Sequence, residues 1–448
     1  MVIFHIDVNN AFLSWEAVYR LTTLNESLDL REIPSVIGGD ETKRHGIVLA
    51  KSTPAKAYGI RTAETLAEAK KKCPTIKIVP PRHEIYKTFS RELIHYLKSL
   101  TPIVEQYSID EAFTDMTGCP ILTGRSPVEA ADFVREEIYR RFAYTVNIGV
   151  SSNKVLAKMA SDFEKPNKVH RLFPDDIEKK MWPLPVGDLF LVGRASEKKL
   201  YNLGIRTIGE LARSDKNIIR SHMGKHGEII HDYANGIDRS PVLREQPESK
   251  GYGNSTTLPH DVTDTGEAKK VLLKLCESVG SRLRADGFSA HVIAVTIKDN
   301  QFRHSSHQCT MPAATNITSE LYHYACTLFD ETWDGSPIRL LGVSSSKLSK
   351  ESSRQLNIFD NTIYLRQEST PSTDLAKESS RQPRFLGNDL YLRQESTPST
   401  DLAKESSRQP RFLGNDLYLR QGKMEEAVDQ IRKKYGHNAI FRASNLEK

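Results

Sequence analysis

Apolar residues recur along the chain with a helical period in two places. Between His83 and Leu100 they fall at Ile85, Phe89, Leu93 and Leu97, and between Pro127 and Phe142 at Val128, Ala131, Val134 and Ile138. Intervals of three and four residues gather each set on one helix face, and Pro127 suits a first helical turn. The apolar run from Val2 to Ile6 reads as a strand that ends in Asp7, and Val146 to Val150 reads as another. Between the two helices, Tyr107 to Phe113 contains the adjacent acids Asp110 and Glu111. A regular strand sends neighbouring side chains to opposite faces, so both acids serve one site only if the backbone turns there, as at a hairpin tip. Alone, such a pair is more simply an exposed turn with two solvated acids.

The order strand, helix, hairpin, helix, strand is the ferredoxin-like split arrangement. Around it, Val36–Gly39 and Gly46–Ala50 look like short strands joined by the charged turn Asp40–His45, and Ser152–Asp162 reads as a helix. Leu191 to Ile205 resembles a helix-hairpin-helix, with Gly193 and Gly204 at its turns. After a polar, proline-bearing linker from Ser240 to Ser249 come a helix over Glu267–Ala285, a strand over His291–Ile297, a helix over Ser319–Thr332 and a strand over Ile338–Ser344. Then Arg366–Leu392 recurs identically as Arg393–Leu419, a period of 27 residues. Its apolar content is too sparse for stacked cores, and its Ser, Thr, Gln and Arg favour a disordered linker produced by tandem duplication. Met424, Ala427, Val428, Ile431 and Tyr435 then line one face of a last helix, stopped by Gly436.

A chain of 448 residues predicts two to four domains. Its 38% hydrophobic and 27% charged residues suit a soluble globular protein. No run approaches a membrane span and the first residues lack a signal-peptide pattern, so the reading is cytoplasmic, with no membrane partner. The five scattered cysteines contain no Cys-x-x-Cys pair, which argues against a zinc site or a disulfide framework. The net charge of +6 is too small to imply nucleic-acid binding by itself.

Asp7 and the Asp110–Glu111 pair could lie side by side at the ends of neighbouring strands. Three such carboxylates are hard oxygen ligands of the kind Mg²⁺ uses alongside phosphates. Without metal they repel one another, and at least one pKa rises. A pair of divalent ions would remove that repulsion and create a phosphoryl-transfer site. His5–Phe12, Tyr107–Phe113, and Asn147–Asp162 followed by Lys165-Pro166-Asn167 together resemble the Y-family translesion DNA polymerases, in particular the Gram-positive UV-damage-repair members related to DinB and UmuC. The match is ordered and covers roughly residues 1–347 and the extreme C-terminus.

The resemblance implies an α/β (α+β) right-hand polymerase. Its ferredoxin-like palm would occupy 1–20 and 78–166, short fingers 21–77, a helical thumb with the helix-hairpin-helix 167–240, and an α+β little finger 241–347. A disordered tail over 348–423 would precede a C-terminal helix and strand-like segment over 424–448. It implies an error-prone, template-directed polymerase that works past damaged bases as a monomer on primer-template DNA and dNTP. Asp7, Asp110 and Glu111 would be catalytic and, with the Val8 carbonyl, would bind two Mg²⁺, with Mn²⁺ as an alternative ion. Phe12 would be a steric gate against a ribose 2′-OH. Asn9, Asn10 and Ala11 would offer backbone amides to the triphosphate, and Thr53, Lys56 and Lys165 would hold it by their side chains. Lys56 stands where many relatives have Arg and gives a point charge instead of a fork. Gly193 and Gly204 would present backbone to DNA phosphates, and Arg282, Arg284, Lys298 and Arg303 would assist from the little finger. Gln355-Leu356-Asn357-Ile358-Phe359 resembles a sliding-clamp-binding peptide, with Gln355, Leu356 and Phe359 as its contacts. Two rivals share parts of this pattern: a non-catalytic clamp- and DNA-binding protein of the same fold, and a two-metal nuclease.

Overall fold

The computed structural model describes residues 1–40, 46–245, 247–350, 413–436 and 439–440, with the backbone alone over 413–419. The chain divides into two compact units, Met1–Glu248 and Ser249–Lys448.

The first unit opens with β1 (Ile3–Val8) and α1 (Ala11–Thr22). A small sheet follows, built from β2 (Ser35–Gly38), β3 (Val48–Lys51) and, beyond the short helices α2 (Thr53–Ala57) and α3 (Leu66–Lys72), β4 (Lys77–Val79). The chain continues through α4 (His83–Leu100), the hairpin β5 (Val104–Gln106) and β6 (Glu111–Asp115), α5 (Pro127–Phe142), β7 (Val146–Ser151), α6 (Lys154–Asp162) and β8 (Val169–Arg171). Strands β5-β6-β1-β7-β8 form one sheet in that order. Its first four are antiparallel and reproduce the ferredoxin-like arrangement predicted from the pattern. The fifth, β8, runs parallel to β7, so this sheet continues past residue 166 to Arg171. A helical bundle completes the unit: α7 (Ile177–Lys180), α8 (Arg194–Asn202), α9 (Ile208–Arg213) and α10 (Lys216–Ala234).

As the central strand, β1 is buried on both faces, which is why its apolar run shows no alternation. Phe4, Ile6 and Val8 pack with α4 and α5 residues such as Leu93 and Val134 in the main core. Ile3, His5 and Asp7 point the other way, because side chains alternate along a strand. On that side α6 lies unusually close. A Cβ on Gly149 would sit 1.8 Å from the Ala157 carbonyl oxygen, so glycine is required there for the approach. That approach brings Lys158 and Ser161 of α6 to the face bearing His5 and Asp7.

The second unit contains β9 (Gly251–Val262), α11 (Thr265–Ala285), β10 (Phe288–Asp299), β11 (His304–Thr315), α12 (Thr318–Thr332), β12 (Ile338–Lys350) and α13 (Leu413–Tyr435). Its sheet has the order β11-β10-β12-β9, antiparallel throughout. Helices α11 and α12 pack on one face through Leu272, Cys276, Val279, Leu321 and Phe329. The edge strand β11 was not expected from the sequence, because its first half, His304-Ser305-Ser306-His307-Gln308, is polar and exposed.

The last helix also belongs to this unit. Burial of its Glu425 carboxylate is offset by bonds from the Thr318 N–H, at 2.9 and 3.1 Å, and from the Thr318 hydroxyl, at 2.9 Å. It thereby caps α12, whose own N-cap, Ile317, has no side-chain acceptor. Arg284 donates to Asp429 at 2.7 Å and also pairs with Glu425. Two carboxylates therefore hold Arg284 inside this unit, where the sequence reading had it reaching for DNA.

Candidate active site

The hairpin turn is where the sequence placed it. The N–H groups of Tyr107 and Ser108 both donate to the Glu111 carbonyl, at 2.9 and 3.2 Å. Asp7 and Glu111 are direct partners across β1 and β6, so their side chains share a face. The Val8 N–H donates to the Asp110 carbonyl at 3.1 Å, which ties the turn to the end of β1. Ser108, a residue the sequence reading passed over, donates its hydroxyl to Asp110 Oδ1 at 2.5 Å and accepts the Glu111 N–H at 3.0 Å.

These acids line a cavity of about 470 Å³ together with Val8, Asn9, Asn10, Ala11, Phe12, Lys56 and Lys165. Leu49, Ala50, Lys51, Thr62 and Pro166 complete the lining. Of the expected nucleotide contacts, Thr53 is absent from it. It occupies the first turn of α2 with its side chain exposed, while Ser52 caps that helix. Asn9 also differs from expectation. Its backbone N–H is committed to the Thr145 carbonyl at 3.0 Å and its side chain is buried, so it has no amide to offer a phosphate. Asn10 is left-handed, with φ 49°, and starts α1 without a side-chain cap. The first turn of α1, at Ala11 and Phe12, is thus the helix N-terminus that faces the cavity.

Two lysines compensate the acids. Lys165 pairs with Asp7 and, at 2.8 Å, with Asp162. Burial alone would lower the Lys165 pKa, but these two carboxylates outweigh it and raise it. Lys158 of α6 donates to Glu111 at 2.9 Å. Burial opposes ionisation of Glu111, and the neighbouring His5 and Lys158 overcome it, holding the carboxyl at about 2. His5 lies 3.6 Å from Glu111 through Nε2 and contacts the Ser161 hydroxyl at 2.8 Å through Nδ1. Since burial lowers the His5 pKa, the positive charge facing Glu111 at pH 7 belongs to Lys158. Neither His5 nor Lys158 was assigned a role from the sequence. A lysine that faces a carboxylate across a sheet–helix interface leaves no local spacing signal.

Repulsion among the acids was expected to raise one pKa, and Asp7 is pushed up to about 6. Burial is the main cause, opposed by Lys165, and the charge of Glu111 adds less. The folded pKa lies above the unfolded one, so the folded state binds more protons between about pH 4 and pH 6. Stability is therefore lost as pH rises through that window. Asp7→Asn should raise the melting temperature of metal-free protein above pH 6 by about 3–6 °C and have little effect near pH 4. Melting curves at the two pH values, in chelator, test this.

The donor set fits a divalent cation. Asp7, Asp110 and Glu111 bring carboxylate oxygens to the lining of one cavity, which Val8 also lines. Among the described residues, no three His, Cys, Asp or Glu side chains converge as a ready cage. An open carboxylate set of this kind suits Mg²⁺, which uses one or two carboxylates plus substrate phosphates. Two further lysines, Lys51 and Lys56, line the same cavity. Burial and the nearby Lys165 lower the Lys56 pKa, and burial, Lys56 and other neighbours lower that of Lys51.

Two further surfaces were expected to meet DNA. In the helical bundle, Gly193 is the N-cap of α8 and Gly204 follows it with φ +79°. A Cβ at either position would meet nothing within 4 Å, so both backbones are open on one side. In the second unit, the sheet face away from the helices carries rows of mostly small residues, more than half of them polar. Ser306, Thr296, Gly342 and Ser255 align across all four strands, as do Gln308, Ala294, Ser344 and Gly253. The peptide Gln355 to Phe359, the first 27-residue copy and all but the last seven residues of the second lie outside the described residues; those seven, residues 413–419, begin α13.

Comparison with known proteins adds three observations. The impB/mucB/samB family matches residues 6–162, its C-terminal domain 249–358, and its HHH motif 174–205. The chain is 48% identical to DNA polymerase IV of Clostridium acetobutylicum over 447 residues, 100% of this chain and 98% of that protein. It is 37% identical to DNA polymerase IV of Clostridium kluyveri over 362 residues, 80% of this chain and 88% of the relative. Among solved structures, a Y-family DNA polymerase chimera superposes with a TM-score of 0.66 at 21% identity, covering 78% of this chain and 100% of its own.

Proposed function

This chain belongs to the impB/mucB/samB family of Y-family DNA polymerases, and from that membership we infer that the cavity around Asp7, Asp110 and Glu111 is where it joins a deoxynucleotide to a primer 3′-OH. The protein is a template-directed DNA polymerase of translesion synthesis, dependent on a divalent metal, that acts on primer-template DNA and dNTP. The observation that carries the assignment of the site is the cavity itself, which gathers three carboxylates, three lysines, a helix N-terminus and an aromatic ring.

In this reading Asp7, Asp110, Glu111 and the Val8 carbonyl would hold the divalent ions. Two Mg²⁺, bound there, would lower the pKa of the 3′-OH and neutralise charge on the transferring phosphoryl group. Lys165 and Lys56 take the triphosphate oxygens, and the α1 N-terminus at Ala11 and Phe12 adds backbone dipoles. Lys165 exchanges its carboxylate partners for phosphate as the nucleotide enters. Lys158 stays on Glu111 and keeps it ionised. Phe12 limits space beneath the sugar. The backbone at Gly193 and Gly204 and the sheet face away from the helices in the second unit contact phosphates without reading bases.

With magnesium and all four dNTPs, a labelled primer should lengthen on its template. Shortening would instead favour the two-metal nuclease, which shares the carboxylates but has no use for a steric gate. The intact acids speak against the non-catalytic rival, since a binding protein needs none of them.

We also assign Gln355, Leu356 and Phe359 to sliding-clamp binding, and take the protein to act as a cytoplasmic monomer. No described helix is long and apolar enough to cross a membrane. Replacing Leu356 and Phe359 by alanine should weaken clamp binding about 10²-fold, as expected when two apolar anchors are lost. Unchanged affinity in a titration against clamp would remove the assignment.

A further inference from the structure

We propose that Asn147, acting with Asn9, is a positioning residue that fixes the loop carrying Lys165 and so sets where the Lys165 ammonium meets the nucleotide. The proposal rests on the reading of Lys165 as a triphosphate contact. Asn147 sits on β7 directly opposite Asp7 and is fully buried. Its carboxamide makes four hydrogen bonds, the full capacity of that group. The amide nitrogen donates to the carbonyls of Ser161 at 2.9 Å and Glu164 at 2.6 Å. The oxygen accepts from the Lys168 N–H at 3.2 Å and from the Asn9 side chain at 3.1 Å. Asn9 in turn accepts the Asn167 N–H at 2.8 Å.

The distribution of these bonds is what points to Lys165. Two of the four reach the segment after α6 directly, at Glu164 and Lys168, a third reaches it at Asn167 through Asn9, and the fourth holds the last turn of α6 at Ser161. The first three land on both sides of Lys165. Asn167 is left-handed at φ 59°, and Arg135 holds its side chain at 2.9 Å. A buried carboxamide in a central strand is costly unless every bond is made, and here none of the side chain's bonds supports the sheet ladder. The network ties the lysine's backbone to the strand end that carries Asp7. A displacement of about 1 Å in such a group can cost about 10²-fold in rate.

The test is single-nucleotide insertion over a range of dNTP concentrations, with Lys165→Ala, Asn147→Ala and the double variant, alongside melting temperature and primer-template affinity. Lys165→Ala should raise the KM for dNTP roughly 10-fold, as expected for one lost charge-assisted contact. Asn147→Ala should raise it by about 5–10-fold while primer affinity holds. The double variant should be no worse than Lys165→Ala, because both changes remove the same contact. A purely structural Asn147 would lower the melting temperature and the active fraction, leave KM unchanged, and combine multiplicatively with Lys165→Ala; either result overturns the proposal. Lys165→Ala with an unchanged KM overturns the reading of Lys165 itself, and the proposal with it. If Asn147→Ala gives no cooperative melt, Asn9→Ala replaces it, since that change leaves Asn147 three of its four bonds, and the same outcomes decide.

Discussion

Asp110→Ala should reduce primer extension on the order of 10⁴-fold, the scale seen when one member of a catalytic set is removed, while primer-template affinity changes less than about 3-fold. The fold gives little reason for any other loss. Asp110 is half-buried in a turn, and its side chain is held by the Ser108 hydroxyl. The bond that fastens the turn to β1 uses the Asp110 backbone carbonyl, which alanine keeps. Glu111→Ala is a less clean experiment, because it leaves Lys158 in a partly buried place without its carboxylate. Extension rates and fluorescence anisotropy of the same Asp110→Ala sample separate chemistry from binding. Extension retained within 10-fold, a bound set by the same scale, would remove Asp110 from the metal set.

Phe12→Ala should raise ribonucleotide incorporation about 10²-fold relative to deoxynucleotide, near the upper end of what one steric exclusion supplies. The ring lines the cavity and stacks on Tyr86, with centroids 4.9 Å apart and planes at 22°. His83 meets it edge-on at 5.8 Å. Phe12 is therefore held from behind by aromatic contacts and presents its other side to the cavity, as a gate requires. Loss of those contacts should also cost about 1–3 kcal/mol of stability. Competition between rNTP and dNTP reads the first effect and denaturant unfolding the second. A stability loss with unchanged sugar selectivity would make Phe12 a core residue only.

The parts legible in the sequence were those with local signals. Helical intervals in 83–100 and 127–142, the uninterrupted apolar run ending at Asp7, and the acid pair in a turn each carry their meaning within a few residues. Their order was enough for the ferredoxin-like sheet. Hidden parts depend on distant neighbours. Strand β11 has a polar face and forms because β10 offers a partner along its edge. Strand β8, three residues long, is likewise fixed by pairing with β7. Ser108 and Lys158 acquire roles only once the hairpin and α6 converge, a convergence that Gly149 allows. Asn9 was read by analogy as a source of backbone amide, yet its N–H is taken by Thr145 and its side chain turns toward Asn147 and Asn167. Arg284, basic and near a helix end, looked like a phosphate contact, and only the packing of α13 supplies the two carboxylates that hold it inside.

Extension of a primer past an abasic site by the wild-type protein and by Asp110→Ala, each set against an undamaged template, tests the central claim most directly. Wild type should extend both templates in magnesium and dNTP, and the variant should extend neither. Wild type that stalls at the lesion, or a variant that passes it, would contradict the account.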